Sequence, residues 1–320
     1  MKVTKMFRSS AAALGCLLAL ISCRQGPDIA SGPLAPVDVK VVDHLVAVLG
    51  HESCVLELVD PASGEKVKSI RLAQPPNGMA VDGATAYVAE GGPRGAVEVV
   101  DLKSGELKCS FPAGHTPMSP VVRGEKLYVA CRFDSRVLEM DAAAGTVLNS
   151  WNVPREPIAL VVSPDGRKIW AAGHLPAGAA DGDFTAAALT LVEDGKAVHF
   201  PLSNGTQGVR GMAISPDGRY LAVAHVLSRY QAPTTQLDRG WMNTNAVTVI
   251  DTEEPDKPHP VLLDDPDAGA ANPWGVSFSE DGRTLFVTHA GTHELSVIDF
   301  PALLLSLIHI SEPTRLLSIS

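Results

Sequence analysis

Short apolar runs, alternating with polar residues, fill the chain from about residue 37 to 304. Six of them share a pattern: "HLVAVLG" (44–50), "TAYVAEG" (85–91), "KLYVACR" (126–132), "KIWAAGH" (168–174), "YLAVAH" (220–225) and "TLFVTH" (284–289). Each is followed by a second alternating run: "CVLELVD", "AVEVVD", "RVLEMD", "AALTLVED", "AVTVID" and "LSVID". Most are preceded by a third, as in "PIALVVSPDG", "RGMAISPDG" and "PWGVSFSEDG". A fourth often comes after a glycine turn, as in "SGEKVKSIRL" and "SGELKCSF". Period two is the mark of strands with one face turned inward. Asp-Gly between two apolar runs supplies the positive φ of a tight hairpin. No amphipathic helix of ~10 residues separates the runs, so a βαβ reading fails.

The spacing is regular. Tyr87 to Tyr128 is 41 residues, Tyr128 to Trp170 is 42, and later steps are longer because they carry insertions. Four short strands per ~40 residues is the period of a β-propeller blade. The expected fold is therefore all-β, a β-propeller of four-stranded blades. Six units are visible, and the last stops after its third strand. The phrases resemble the blade of the YVTN family of β-propellers, roughly P-x-x-I-A-V-S-P-D-G-x-x-L-Y-V-T-N and then T-V-S-V-I-D. That resemblance implies seven blades in an intact ring, so a partial sixth unit implies truncation and an unpaired edge.

Composition adds an address. Lys2, Lys5 and Arg8 precede the apolar stretch "AAALGCLLALIS", and no acid occurs before residue 23. Residues 1–22 read as a signal peptide. The sequence "LISC" resembles a bacterial lipobox, which makes Cys23 the expected lipidation site and a membrane anchor. Residues 23–36 read as a flexible tether, 37–304 as the propeller, and 305–320 as a non-native tail. "LSLIHISEPTR" (305–315) resembles the conceptual translation of a sequencing adapter, so the natural frame is expected to stop near Leu304. Net charge is −10, or −13 without residues 1–22, and no basic run occurs, which argues against nucleic acid as a partner. Cys54, Cys109 and Cys131 form no C-x-x-C and are read as buried, unpaired thiols.

In a four-stranded blade, the loop after strand two and the loop leading into strand one share a face. That face gathers Glu90, Cys131, His174, His225 and His289, and the lead-in loops at 113–120, 153–157, 205–211 and 269–275. Two exits from strand two are long, at 174–186 and 225–246, and long loops on rigid scaffolds often bind. The candidate binding face comprises His174, Arg210, His225, Arg229, Tyr230, Arg239, Trp241, Asn243, Asn272, Trp274, His289 and His293. Three histidines on one rim suit metal or haem ligation; they equally suit strand-end caps bonded to the neighbouring blade. The H-x-x-x-H of "HAGTH" unites ligands on a helix, whereas this segment is a strand-to-loop turn, so no metal is assigned. Arg210, Arg229 and Arg239 suit an anion, or local acids. Trp241 suits a partner anchor or a pin for its own loop. Trp274, after Asn-Pro at a strand start, reads as packing.

No catalytic constellation is recognised: there is no G-x-S-x-G elbow, phosphate loop or carboxylate dyad. The stretch 205–304 resembles exported bacterial propellers fused to a di-haem cytochrome c peroxidase-like domain. That resemblance implies a non-catalytic docking scaffold with a protein or redox domain as partner. No C-x-x-C-H occurs in the chain, so c-type haem is expected only in a portion beyond it. The alternatives are a lactonase-like or metal-dependent propeller enzyme using the histidine face, and a plain cell-surface interaction protein.

Overall fold

A computed structural model describes residues 33–229, 242–264 and 269–310. The chain divides into two compact units, one ending at Pro76 and one beginning at Asn77.

The first unit holds one four-stranded antiparallel sheet, β1 (Pro36–Val42), β2 (Leu45–Gly50), β3 (Val55–Val59) and β4 (Lys66–Arg71), in sequential order. Ala47, Leu49 and Leu56 are fully buried, while Val39 and Val41 on β1 are exposed.

The second unit repeats the plan. Its first blade is β5 (Pro76–Asp82), β6 (Thr85–Glu90), β7 (Ala96–Asp101) and β8 (Leu107–Pro112). Next come β9 (Pro117–Arg123), β10 (Lys126–Cys131), β11 (Arg136–Asp141) and β12 (Val147–Asn152), with a 3-10 turn at Arg132–Asp134. Then come β13 (Pro157–Val162), β14 (Ile169–Gly173), β15 (Ala188–Glu193) and β16 (Lys196–Pro201). The fifth blade of the chain is β17 (Thr206–Ile214), β18 (Tyr220–Ser228), β19 (Asn243–Asp251) and β20 (His259–Leu262). The sixth has three strands, β21 (Pro273–Phe278), β22 (Thr284–His289) and β23 (Glu294–Asp299). Consecutive strands pair within each sheet and the sheets succeed one another along the chain. This is the β-propeller anticipated from the repeat, with its last blade short of a fourth strand among the described residues.

The core lies between blades. One layer packs Tyr87, Val97 and Val99 against Leu127, Val129 and Met140. The next sets Tyr128 and Val137 against Leu160, Ile169 and Val192. A third joins Trp170, Leu189 and Leu202 to Val209, Leu221 and Ile250. The last sets Ala222 and Val247 against Leu285, Val287 and Phe300. A middle strand is covered on both faces, so β10 and β14 are buried almost throughout while outer strands β8 and β12 are mostly exposed. Alanine recurs on the second strands because two sheets must approach closely there.

The copied "SPDG" phrase builds the same turn three times. Ser163 Oγ donates to Asp165 Oδ1 at 2.6 Å and accepts the Lys168 N–H at 2.9 Å. Ser215 with Asp217 and Tyr220, and Ser279 with Asp281 and Thr284, repeat the pattern. Gly166, Gly218 and Gly282 all take φ between +69° and +77°, which only glycine adopts without strain.

Two expectations change. Cys54 and Cys131 are buried and in no disulfide, but Cys109 is exposed, because it lies on the outer strand β8. The 225–246 loop is shorter at both ends: β18 continues to Ser228 and β19 begins at Asn243, with Ser228 facing Asn243. The last strand runs into a helix, α1 (Phe300–Ile310). Phe300, Leu303, Leu304 and Leu307 of α1 pack on the last inter-blade layer, and Phe300 sits edge-on to Tyr220 and Phe278.

The thiols give a direct check. Burial, with the nearby Asp134 charge, pushes the Cys131 thiol up to about 12, and its Sγ donates to the Ala113 carbonyl at 2.9 Å. A disulfide reagent reacts with the thiolate. At pH 8, Ellman's reagent should label Cys109 in the native protein and reach Cys131 only after denaturation. Rapid native labelling of Cys131, read by peptide mass mapping, would contradict the buried assignment.

Candidate functional site

The rim that carries the strand-two exits is built by a repeated backbone device. The residue before the proline that opens β9, β13 and β21 takes a left-handed conformation: Thr116 (φ 52°), Glu156 (φ 56°) and Asn272 (φ 56°). Its carbonyl accepts the N–H of the residue just past strand two: Arg132 to Thr116 at 3.1 Å, His174 to Glu156 at 2.8 Å, and Ala290 to Asn272 at 2.9 Å. Ala35 does the same for His51 in the first unit. The turn thus pins the first residue beyond each of these second strands.

This register separates the histidines into two classes. His174 stands one place beyond the strand-end column, level with Arg132 and Ala290. Cys131 and His289 face the prolines that open their inner strands, whereas β18 runs on past His225, which is opposite Ala246 of β19. His174 is buried, and its Nδ1 donates to the Val209 carbonyl of the next blade at 2.7 Å. Burial lowers its pKa; the Val209 bond opposes that shift, and the Arg210 and Arg132 charges add to it. His225 is wholly buried within the paired stretch of β18, its Nε2 2.6 Å from Thr248 Oγ1 of its own blade. Burial pushes its pKa down to about 4. His289 is buried with Nε2 2.8 Å from Ser296 Oγ. Each ring is thus buried and hydrogen-bonded through one nitrogen inside the fold, not presented at a loop tip, while Nδ1 of His225 and of His289 is buried without a partner among the described residues. Among the described residues, no group of three or more His, Cys, Asp or Glu is placed to hold a metal ion.

The Thr248 and Ser296 partners belong to a second column, the middle of strand three. There Glu57, Glu98 and Glu139 give way to Thr190, Thr248 and Ser296 in later blades. Lys126 pairs with Glu139 at 2.6 Å, and Lys66 pairs with Glu57. His199 meets Thr190 at 3.0 Å. Charged pairing on the early blades is thus replaced by hydroxyl pairing on the later ones.

The exposed part of the rim has different chemistry. Arg210, on inner strand β17, stacks over the Trp274 ring on inner strand β21, 4.5 Å from its centroid. Trp274 is 40% exposed, so part of its surface is open to solvent. Gly211 permits the approach, since a Cβ there would lie 2.2 Å from the Trp274 carbonyl oxygen. Arg132 stacks over Phe133 at 4.8 Å and forms an ion pair with Glu156 at 2.9 Å. Asn77 Nδ2 donates to the Pro117 carbonyl, and Ser119 Oγ to the Ile158 carbonyl, so each of these inner strands is bonded to the next.

Of the other sequence candidates, Arg229 is exposed and its N–H bonds the Met242 carbonyl at 2.7 Å. Asn243 is the first residue of β19 and not a loop residue. Asn272 is exposed and its N–H bonds Asn245 Oδ1. His293 is exposed, with its N–H on the His289 carbonyl, whereas His289 is buried. Tyr230, Arg239, Trp241 and Cys23 lie outside the described residues. Arg132 and Glu156 were not among the sequence candidates; the X-Pro that recurs before most inner strands was the available signal.

No protein-family model matches the chain. Residues of the chain are 27% identical over 113 positions to hydrazine synthase subunit beta of Kuenenia stuttgartiensis, covering 35% of this chain. The aligned stretch spans only 29% of that protein's length. In three dimensions the chain is similar to a chain of Kuenenia stuttgartiensis hydrazine synthase, with a TM-score of 0.79 and 22% identity over 89% of this chain and 82% of that one. It is also similar to a chain of the mitotic checkpoint complex, with a TM-score of 0.60 and 15% identity over 82% and 73% of the two chains. At these identities the structural likenesses show the fold alone.

Proposed function

We propose that this propeller is a docking scaffold, exported and lipid-anchored through Cys23, that belongs to a larger electron-transfer protein or assembly. The observation that carries the reading is the local match to a chain whose name makes it one subunit of an enzyme. Two features of the site support it. The three histidines are engaged in hydrogen bonds within the fold. The accessible rim offers stacked arginine and aromatic side chains, the residue types that dominate protein interfaces.

The residues present do not fit a covalently attached c-type haem. Cys54, Cys109 and Cys131 form no C-x-x-C, and no C-x-x-C-H occurs in the chain. In this reading the redox group belongs to a portion beyond residue 304, and the propeller binds and orients without turning over substrate itself.

Reading the source genome through the codon for Leu304 tests the redox part. A C-x-x-C-H motif downstream is expected; a stop codon soon after a seventh blade would contradict it. Metabolic labelling with palmitate tests the anchor: the wild-type protein should incorporate label and Cys23→Ser should not. Equal labelling of both would remove the lipid assignment.

A further inference from the structure

The Arg210–Trp274 pair stands apart from the other arginine contacts on this rim. Arg132 is neutralised by Glu156, Arg136 lies 3.7 Å from Asp134, and Arg155 is 3.8 Å from Glu156. Arg210 is half-buried on an inner strand, and among the described residues it makes no hydrogen bond or ion pair. Removing a guanidinium from water without an acceptor is costly, so a fold that holds one this way is prepared for an anion. The nearby charges reinforce this. Arg132 is close enough that its charge, after burial, lowers the pKa of Arg210. Arg132 and Arg155 share one carboxylate, Glu156, which lies 2.9 Å from the first and 3.8 Å from the second.

The surroundings favour a chain carrying carboxylates over a small free anion. Trp274 is 40% exposed beneath Arg210, and Phe133 is 51% exposed beneath Arg132. Aromatic surfaces beside guanidinium groups accept the methylene stems and backbone of a peptide while the arginines take its charges. Inorganic anions have no use for that apolar area.

We infer that the Arg210–Trp274 pair is the anchor for an acidic segment of a partner protein, with a carboxylate on the Arg210 guanidinium and the peptide stem against the Trp274 ring. This rests on the docking reading above and supplies its partner chemistry.

The test is fluorescence anisotropy of a fluorescein-labelled hexaglutamate peptide titrated with the purified chain at low ionic strength. Wild-type protein should bind it, and added salt should weaken binding. Arg210→Ala should lower affinity at least about tenfold. Arg210→Lys, which keeps the charge and loses the planar stack, should fall between them. Trp274→Ala should also bind more weakly. Arg167→Ala, in a hairpin turn at the opposite end of the blades, should match wild type. Circular dichroism checks that each variant folds; should Arg210→Ala fail to fold, Arg210→Lys and Trp274→Phe carry the comparison. Equal affinity of wild type and the Arg210 variants would overturn the site. So would an absence of wild-type binding up to about 1 mM peptide, or binding of inorganic phosphate at Arg210 without binding of the peptide. Peptide binding that ignores Arg210 would leave the docking reading standing on another surface. Failure of the docking reading shows instead in the downstream gene.

Discussion

Replacing Trp170 with alanine is expected to destabilise the propeller by about 3–5 kcal/mol, the largest effect of any single side chain on the described core. Trp170 is fully buried on β14 in the layer between the blade of β13–β16 and that of β17–β20. Its ring lies 6.4 Å from that of Phe200, with Leu189, Leu191 and Val209 in the same layer. Neither sheet can collapse into the void, because each is held by its own hydrogen bonds and by the blade beyond. Trp170→Phe should cost less than half as much. Nε1 of Trp170 is buried without a hydrogen-bond partner, so phenylalanine removes a polar group that makes no bond, and it keeps much of the volume. Urea unfolding of the two variants checks this. A phenylalanine variant as unstable as the alanine variant would show that Nε1 has a partner or that the layer tolerates no repacking.

The second large effect is acid sensitivity traced to one residue. His225 is wholly buried, and burial holds its pKa at about 4, against about 6.5 when unfolded. Between these values the unfolded chain binds a proton that the folded chain refuses. The group's contribution to stability is therefore full above pH 6.5, falls as pH drops, and levels off below 4. From pH 7.5 to 4 the loss is about 3 kcal/mol. Carboxylates titrate over the same range, so the measurement is a difference: unfolding free energy at both pH values for wild type and His225→Gln. The glutamine variant should be less stable than wild type at pH 7.5 and lose about 3 kcal/mol less on acidification. Parallel pH dependence in the two proteins would mean that His225 is protonated in the folded state.

The same residue shows where the sequence stops being legible. The "YLAVAH" and "AVTVID" runs identify β18 and β19, since alternation and the Asp-Gly turn are local properties. They do not reveal that pairing continues through Ser228 and Asn243, because Val226, Leu227 and Thr244 alternate no more clearly than a loop does. Without that extension, His225 looks like a loop-tip ligand; with it, the ring is enclosed and hydrogen-bonded to Thr248. Blade count, the short sixth blade and the hairpin turns were readable, each being written within one repeat. The contact of Arg210 with Trp274 joins residues from two repeats, and Arg132 with Glu156 likewise. Neither pair has a spacing that marks it, and only the approach of neighbouring inner strands creates them.

Recognition by the arginine–aromatic rim, with the histidines committed to the fold, is the central claim. Hydrogen exchange of the chain with and without saturating hexaglutamate tests it most directly. Exchange should slow at residues 132–134, 153–156 and 208–211, and stay unchanged in the hairpin turns at 163–168, 215–220 and 279–284 at the opposite end. An unchanged rim, or slowing confined to those hairpin turns, would contradict it.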